Sequence, residues 1–395
     1  MTTPALRVAI LGASSQSTPA LFQSLAGHAA SSRMSFRLVA RSKERLQPVH
    51  RACAAMLRDG AAISCFDFDK SSLHLALQDA DVVVIQIRYG GLEGRDFDEQ
   101  FPLAFGICGD EGLGPGGLSA AWRSWLSLKD LLGSVQRCSP HAMILLLTSP
   151  VSLLTRLALS AYPELRLFGI CELPWTSLSA ETFGSPHSAV YDYVGINHLG
   201  WIYGLESREA PVPLKYLRLH FDSRRVLQEQ QHQDVSRAAQ LQGLSDAAMQ
   251  VYANGDKSQI AIALASRPAP WYSEAVVPFV LALVEGSSRT HFFLSTRNDD
   301  WNSEFQPDDI LEIPFLYGDN KLTRKPVLYP PSREILDVLK PFVEYERLAA
   351  TAVNSQDAAL LQDALQRHPW VTTDEKAAQL SEVIVRQSVS TGVSV

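Results

Sequence analysis

The chain has 395 residues, 46% hydrophobic and 19% charged, the make-up of an ordinary globular protein with room for two domains or for one core with a large appendage. Its net charge of −7 argues against a partner that is nucleic acid or an anionic membrane, and no apolar run is long enough to cross a bilayer. The first fifteen residues lack the order of a signal peptide and the five cysteines show no paired spacing, so free thiols and a cytoplasmic location are expected.

In chain order, Arg7 to Gly12 is an apolar run ending in glycine, followed by Ala13–Pro19 and a helical pattern from Ala20 to Leu25. Strand, tight turn and helix in that order aim backbone N–H groups and a helix start at one point, which suits an anion such as a pyrophosphate. Only Gly12 of the usual glycine pattern is present; Ser14 and Ser15 offer hydroxyl donors, and a plain β-α unit carries the same signal. The second strand, Phe36–Ala40, ends in Arg41-Ser42, where a dinucleotide fold often carries an acid for the ribose hydroxyls. Arginine and serine there suit a 2′-phosphate, favouring NADP over NAD, and equally fit a solvated strand end.

A helix is expected from Leu46 to Arg58, then a strand over Ala62–Phe66, then the apolar strand Val82–Ile85. Residues 86–117 read as a long loop that crowds Arg88, Glu93, Arg95, Asp96, Asp98, Glu99, Asp110 and Glu111 among glycines. Such a loop is costly to order unless its charges meet partners, and one so long is unusual inside a domain. A helix over Leu118–Val135, a strand over Ala142–Leu147 with Thr148-Ser149-Pro150 as its exit, a helix over Leu153–Leu159 and a strand over Leu167–Cys171 complete the alternation. The pattern predicts an α/β fold with a Rossmann-like, doubly wound, mostly parallel sheet, its ligand beyond the carboxyl ends of the strands. Arg88, Ser149 and Cys171 lie at or just past such ends and can converge.

Beyond Glu172 the pattern loosens. Val190–Tyr203 reads as one continuing strand, helices are expected near Ser223–Ala239 and Trp271–Glu285, a strand over Thr290–Thr296, and helices over Leu339–Ala352 and Ala358–Arg367. Residues 1–174 are expected to form a dinucleotide-binding Rossmann-like domain. Residues 175–395 are expected to form an α+β domain for substrate, metal and oligomerisation.

Several segments together resemble glycoside hydrolase family 4, the NAD- and metal-dependent 6-phospho-glycosidases, α-galactosidases and α-glucuronidases. They are Leu11–Ser15 with Thr18-Pro19, Arg88–Arg95 with Asp98-Glu99, Gly114–Gly117, Gly169–Pro174, Gly195–Trp201, Lys215–Arg218, Arg267 with Tyr272-Ser273, Tyr345–Leu348, and Ala364-Leu365 with His368-Pro369. The resemblance spans nearly the whole chain. It implies cleavage of a glycosidic bond, in a 6-phosphorylated or otherwise anionic sugar, by oxidation at C3, loss of the C2 proton, elimination at C1, addition of water and return of the hydride. This family is an exception to two-carboxylate hydrolysis.

The resemblance implies NAD or NADP held by Gly12, Ser14, Ser15, Thr18, Arg41, Ser42 and Ser149. It implies a divalent metal, manganese as a rule, on Cys171 and His198, whose plain readings are a buried strand cysteine and a core histidine. Tyr216 takes the position of the base at C2, and Glu172 that of a leaving-group acid. Arg88, Arg95, Glu111, Ser149, Asn197 and Arg267 become substrate contacts, guanidinium groups being suited to phosphate and carboxylate. A homodimer or homotetramer is expected. The departures are Arg41-Ser42 for the family's acid, Ser149 for its asparagine, Asp110 for glutamine in its Gln-Glu pair, and Glu172 where phospho-β members carry asparagine and phospho-α members aspartate. Glu172 leans to an α-linkage. Asp110 adds charge that favours a cationic or amino sugar, or supports the metal. A sugar dehydrogenase or epimerase, and a family-like binding protein without catalysis, remain open alternatives.

Overall fold

Along the first strand, β1 (Leu6–Leu11), Val8 and Ile10 enter one core layer and Ala9 and Leu11 another, all four fully buried. Successive side chains of a strand point to opposite faces, so this strand is covered on both sides. The computed structural model describes residues 6–57, 61–181, 189–207, 217–220, 223–288 and 291–390. After β1 come α1 (Thr18–Leu25), β2 (Met34–Ala40), α2 (Lys43–Met56), β3 (Ala62–Asp67), α3 (Lys70–Leu77), β4 (Val82–Ile85), α4 (Gly91–Gln100), α5 (Pro115–Cys138), β5 (Met143–Leu146), α6 (Val151–Ala161), β6 (Arg166–Ile170) and α7 (Leu173–Glu181). Helices α2 and α3 start where side chains satisfy free N–H groups: Ser42 Oγ accepts from Arg45 N at 3.2 Å, and Asp69 Oδ1 from Ser71 N and Ser72 N at 3.0 Å.

The second half adds β7 (Ala189–Ile196), β8 (Leu199–Ser207), β9 (Leu217–His220), α8 (Ser223–Gln231), α9 (Arg237–Asn254), α10 (Lys257–Ala265), α11 (Val277–Glu285), β10 (Phe292–Arg297), β11 (Ile310–Gly318), β12 (Lys321–Arg324), α12 (Arg333–Ser355), α13 (Ala358–Arg367) and α14 (Asp374–Ser390). Nine strands form one sheet in the order β12-β11-β10-β6-β5-β4-β1-β2-β3. From β3 to β6 neighbours pair in parallel, and β10, β11 and β12 continue the sheet antiparallel from β6. This is the doubly wound fold expected, with its order reversing between β1 and β4. Helices α1, α2 and α9–α11 line one face and α3, α5, α6, α13 and α14 the other, while α12 contributes to both core layers. Strands β7, β8 and β9 form a separate three-stranded sheet.

Three stretches differ from their sequence reading. Residues 86–117 are not one loop: α4 and a 3-10 turn over Phe101–Phe105 lie within them. Their glycines serve close packing, since a side chain at Gly109 would strike the Glu99 carbonyl oxygen and one at Gly116 that of Asp98. The apolar run 190–203 is a hairpin, not one strand. It turns at Asn197-His198, with His198 left-handed at φ 68° and Gly195 opposite Gly200. The helix expected over 223–239 is two, α8 and α9, separated by residues 232–236.

Candidate active site

The turn after β1 is set by Gly12, whose φ of 89° lies in the left-handed region, with a would-be Cβ 3.0 Å from the Ile87 backbone. Gly12 N and Ala13 N donate to the Val39 carbonyl at 3.0 Å, tying the turn to β2. Buried within it, Gln16 Nε2 and Ser17 Oγ have no hydrogen-bond partner, so the turn holds unspent polar capacity. These groups border a cleft of about 1380 Å³ along the carboxyl edge of the parallel strands, large for one small ligand. Gly12, Ser14, Ser15, Arg41, Ser42 and Ser149 all line it. Thr18 does not: it is fully buried and accepts from Gln86 Nε2 at 3.0 Å, while the Tyr272 hydroxyl donates to Gln86 Oε1. Tyr272 lies in a π-helical turn, Trp271–Val276, that brings it and Trp271 to the cleft.

The end of β4 delivers Arg88, and α4 delivers Arg95. Both meet Glu111: Arg88 Nη1 makes a short bond to Oε2, and Arg95 Nη1 lies 3.1 Å from Oε1. Burial alone would raise the Glu111 carboxyl, but the two guanidinium groups outweigh it and hold the group down at about 2. Arg95 Nε also pairs with Glu99 at 2.7 Å, and Asp98 belongs to Arg123 in a pair only 2% and 3% exposed. Arg267, stacked on Trp271, forms no ion pair among the described residues. Burial lowers it, with the charges of Arg95 and Arg88 adding to that, to about 10, still charged at neutral pH. Three arginines facing two carboxylates therefore leave one positive charge uncompensated, a fit for an anionic substituent.

Cys171, at the end of β6, and His198, at the hairpin turn, line the same cleft, with Glu172 and Asn197 beside them. The Cys171 thiol donates to Glu172 Oε2 at 3.7 Å. Burial pushes the thiol up, and the charges of Glu172 and Glu312 push it further. No group of three or more His, Cys, Asp or Glu side chains among the described residues is placed to hold a metal ion. A thiolate and an imidazole alone suit a borderline divalent cation that keeps its remaining positions open to substrate oxygens, so the donor pair fits. Tyr216 lies outside the described residues.

Sequence reasoning missed Glu312. It is fully buried on β11, accepts from the Tyr193 hydroxyl in a short bond and from Asn197 Nδ2 at 3.4 Å, and burial raises it to about 7. Its signal was a lone acid inside the apolar run Ile310–Phe315. Arg45, Gln86, Trp271 and Tyr272 also went unread as a group, since only the fold brings them to one cleft. Asp110 has a local role that the sequence did not show: its Oδ1 accepts from the backbone N–H groups of Gly112, Leu113 and Gly114, at 3.0 Å from Gly112 and 3.1 Å from Gly114. That oxygen is spent on holding the loop.

Solved structures of the 6-phospho-beta glucosidase from Thermotoga maritima share this fold. One, with NAD and glucose-6-phosphate, superposes with a TM-score of 0.87 at 21% identity over 98% of this chain and 99% of that one. Another, with manganese, NAD+ and glucose-6-phosphate, gives 0.83 at 21% identity over 98% of each chain. In sequence the chain is 28% identical over 201 residues to maltose-6'-phosphate glucosidase MalH of Clostridium acetobutylicum, a match covering 49% of this chain and 45% of that enzyme. Maltose-6'-phosphate glucosidases from Fusobacterium mortiferum and Bacillus subtilis, 29% and 28% identical, are matched over 41% and 48% of their length. Residues 7–179 match the family model for family 4 glycosyl hydrolases, and residues 210–371 match that family's C-terminal domain. With the Rossmann-like turn, the Cys171–His198 pair and the arginine cluster all on one cleft, the chain belongs to glycosyl hydrolase family 4.

Proposed function

We propose that the chain is a glycosidase that cleaves a 6-phosphorylated glucoside, with an α-linkage favoured, using a nicotinamide dinucleotide and a divalent cation. The observation that carries this reading is the convergence of Arg88, Arg95 and Arg267 with Cys171 and His198 on the cleft that also borders the Gly12 turn. The relatives' names support the phosphorylated substrate, and of these three arginines Arg267 is the one that forms no ion pair among the described residues. Residues 1–174 then serve the dinucleotide, and residues 175–395 complete the sugar and metal sites.

When bound, the nicotinamide supplies a reversible hydride acceptor and the divalent cation, with manganese the expected guest, a Lewis acid. Gly12, Ser14 and Ser15 receive the pyrophosphate, and Ser149 contacts the nicotinamide or sugar. Arg267 binds the 6-phosphate, while Glu111 orients Arg88 and Arg95 toward the same group. Cys171 and His198 hold the cation, and Asn197 orders the turn that carries His198. Tyr216 takes the C2 proton, and Glu172, one methylene longer than the aspartate of phospho-α members, gives one to the leaving oxygen. A cytoplasmic enzyme acting as a homodimer or homotetramer belongs to the same reading; no helix among the described residues is long and apolar enough to cross a membrane.

The test is incubation with manganese, NAD+ or NADP+ and nitrophenyl glucosides, α and β, plain and 6-phosphorylated. Chromophore release from the phosphorylated α-glucoside that requires both dinucleotide and metal is expected. Cofactor reduction without release would instead make the chain a sugar dehydrogenase, and neither signal would leave a binding protein.

A further inference from the structure

The cleft extends past the Gly12 turn to the end of β2, where Arg41, Ser42, Arg45, Asp69 and Lys70 line it. In a doubly wound fold this is where the adenosine ribose lies, and a protein that reads the bare 2′,3′-diol needs a free carboxylate there to accept from both hydroxyls. Asp69, the acid that lines this end, and Asp67, two residues before it, are both spent. Asp67 Oδ2 pairs with Lys43 Nζ at 2.7 Å. Asp69 caps α3, its Oδ1 accepting from Ser71 N and Ser72 N at 3.0 Å and its Oδ2 from Ser72 Oγ at 2.7 Å. The cations are the reverse. None of Arg41, Arg45 and Lys70 forms an ion pair among the described residues, and Arg45 is steered by a neutral partner, Ser245 Oγ, at 2.9 Å. Three uncompensated positive groups on one rim stand out in a chain of net charge −7. Beside them, the Tyr89 hydroxyl is buried with no partner, near enough to Arg41 to feel its charge.

We infer that this end of the cleft is a site for a phosphate on the ribose 2′-oxygen, so that the chain takes a 2′-phosphorylated dinucleotide in preference to the unphosphorylated one. The inference rests on the dinucleotide reading above and narrows it. Arg41 is the principal group: it follows the last residue of β2 directly, in the place of the acid that reads a diol, and its guanidinium can grip two phosphate oxygens at once. Arg45, one helical turn on, and Lys70, on the neighbouring loop, add charge from either side.

The test is titration calorimetry on the full chain with NADP+ and NAD+, without sugar, repeated with adenosine 2′,5′-bisphosphate and adenosine 5′-monophosphate. The expected result is binding of NADP+ at least about tenfold tighter than NAD+, the worth of roughly one charge-assisted contact, with the same order for the two fragments. The gap should narrow on raising the salt. In R41A the ratio of the two affinities should fall to within about twofold of one, and R41D should reverse it, an exposed position where neither change threatens folding. Equal or tighter binding of NAD+ by the unaltered chain would overturn the inference while leaving the dinucleotide reading intact. Binding of neither dinucleotide would overturn both.

Discussion

Asp110 shows how one carboxylate can fix the backbone of a site. It is buried, and one of its oxygens takes three successive N–H groups, which fixes the loop that presents Glu111 and the start of α5. Asp110→Ala strands those donors and should cost about 2 kcal/mol in a urea melt, with Asp110→Asn costing less because an acceptor remains. Glu111 itself carries a pH signature. Its folded-state value is depressed to about 2, below its ordinary 4.5, so its stabilising contribution is complete above about 4.5 and is lost as pH falls toward 2. The stability difference between the unaltered chain and E111Q should be flat above pH 5 and shrink over that acid window. Glu346 runs the other way. Burial raises it to about 7, against an opposing hydrogen bond from Ser152 Oγ at 2.7 Å, so the folded state retains a proton that the unfolded chain releases. Its stabilising contribution is complete below about 4.5 and lost as pH rises through 7. E346Q should abolish that decline, read as thermal melts between pH 4.5 and 8.

At the scale of elements, the packing of α4 on α5 rests on the Asp98–Arg123 pair and on glycines that let the backbones meet. Removing one partner leaves an uncompensated buried charge, so D98A should cost about 3–5 kcal/mol, whereas a paired apolar replacement should cost much less. The π-helical turn that carries Tyr272 reaches the dinucleotide end through Gln86, whose amide donates to Thr18 and to the Gly12 carbonyl. Y272F should weaken dinucleotide binding by about fivefold, the worth of one hydrogen bond, with little change in melting temperature. Strands β1, β2, β4, β5 and β6 were legible because each is a short apolar run closed by a turn or helix signal. β11 was not, because Pro314 in its middle removes a backbone donor and reads as a strand breaker. α4 was hidden by Gly91 and Gly94, and the β7–β8 turn by a run that is apolar but for Asp192 and Asn197-His198, since nothing local says that Gly200 must lie against Tyr193. The candidate site divides the same way. Arg88, Ser149 and Cys171 follow strand ends, so their convergence could be read from the order of strands. Glu312 comes from an antiparallel strand more than a hundred residues later, and its bond to Asn197 exists only in the folded sheet.

On the scale of the molecule, one nine-stranded sheet runs from β3 to β12, so the strands that border the dinucleotide turn and the strand that carries Glu312 belong to a single rigid layer. The β7–β8 hairpin packs against β11 and brings His198 to the cleft that Cys171 also lines. On the proposed reading an oxidation site, a metal site and an anion site share one cavity, which plain hydrolysis by two carboxylates does not require. The central claim is therefore that bond cleavage passes through loss of the sugar's C2 proton. It is tested most directly by running the reaction on a 6-phosphorylated α-glucoside in deuterated water and examining the released glucose 6-phosphate by proton NMR. The account predicts deuterium at C2 of the product, incorporated when that position is reprotonated from solvent. Product that retains its original hydrogen at C2, formed at the same rate without dinucleotide, would contradict it.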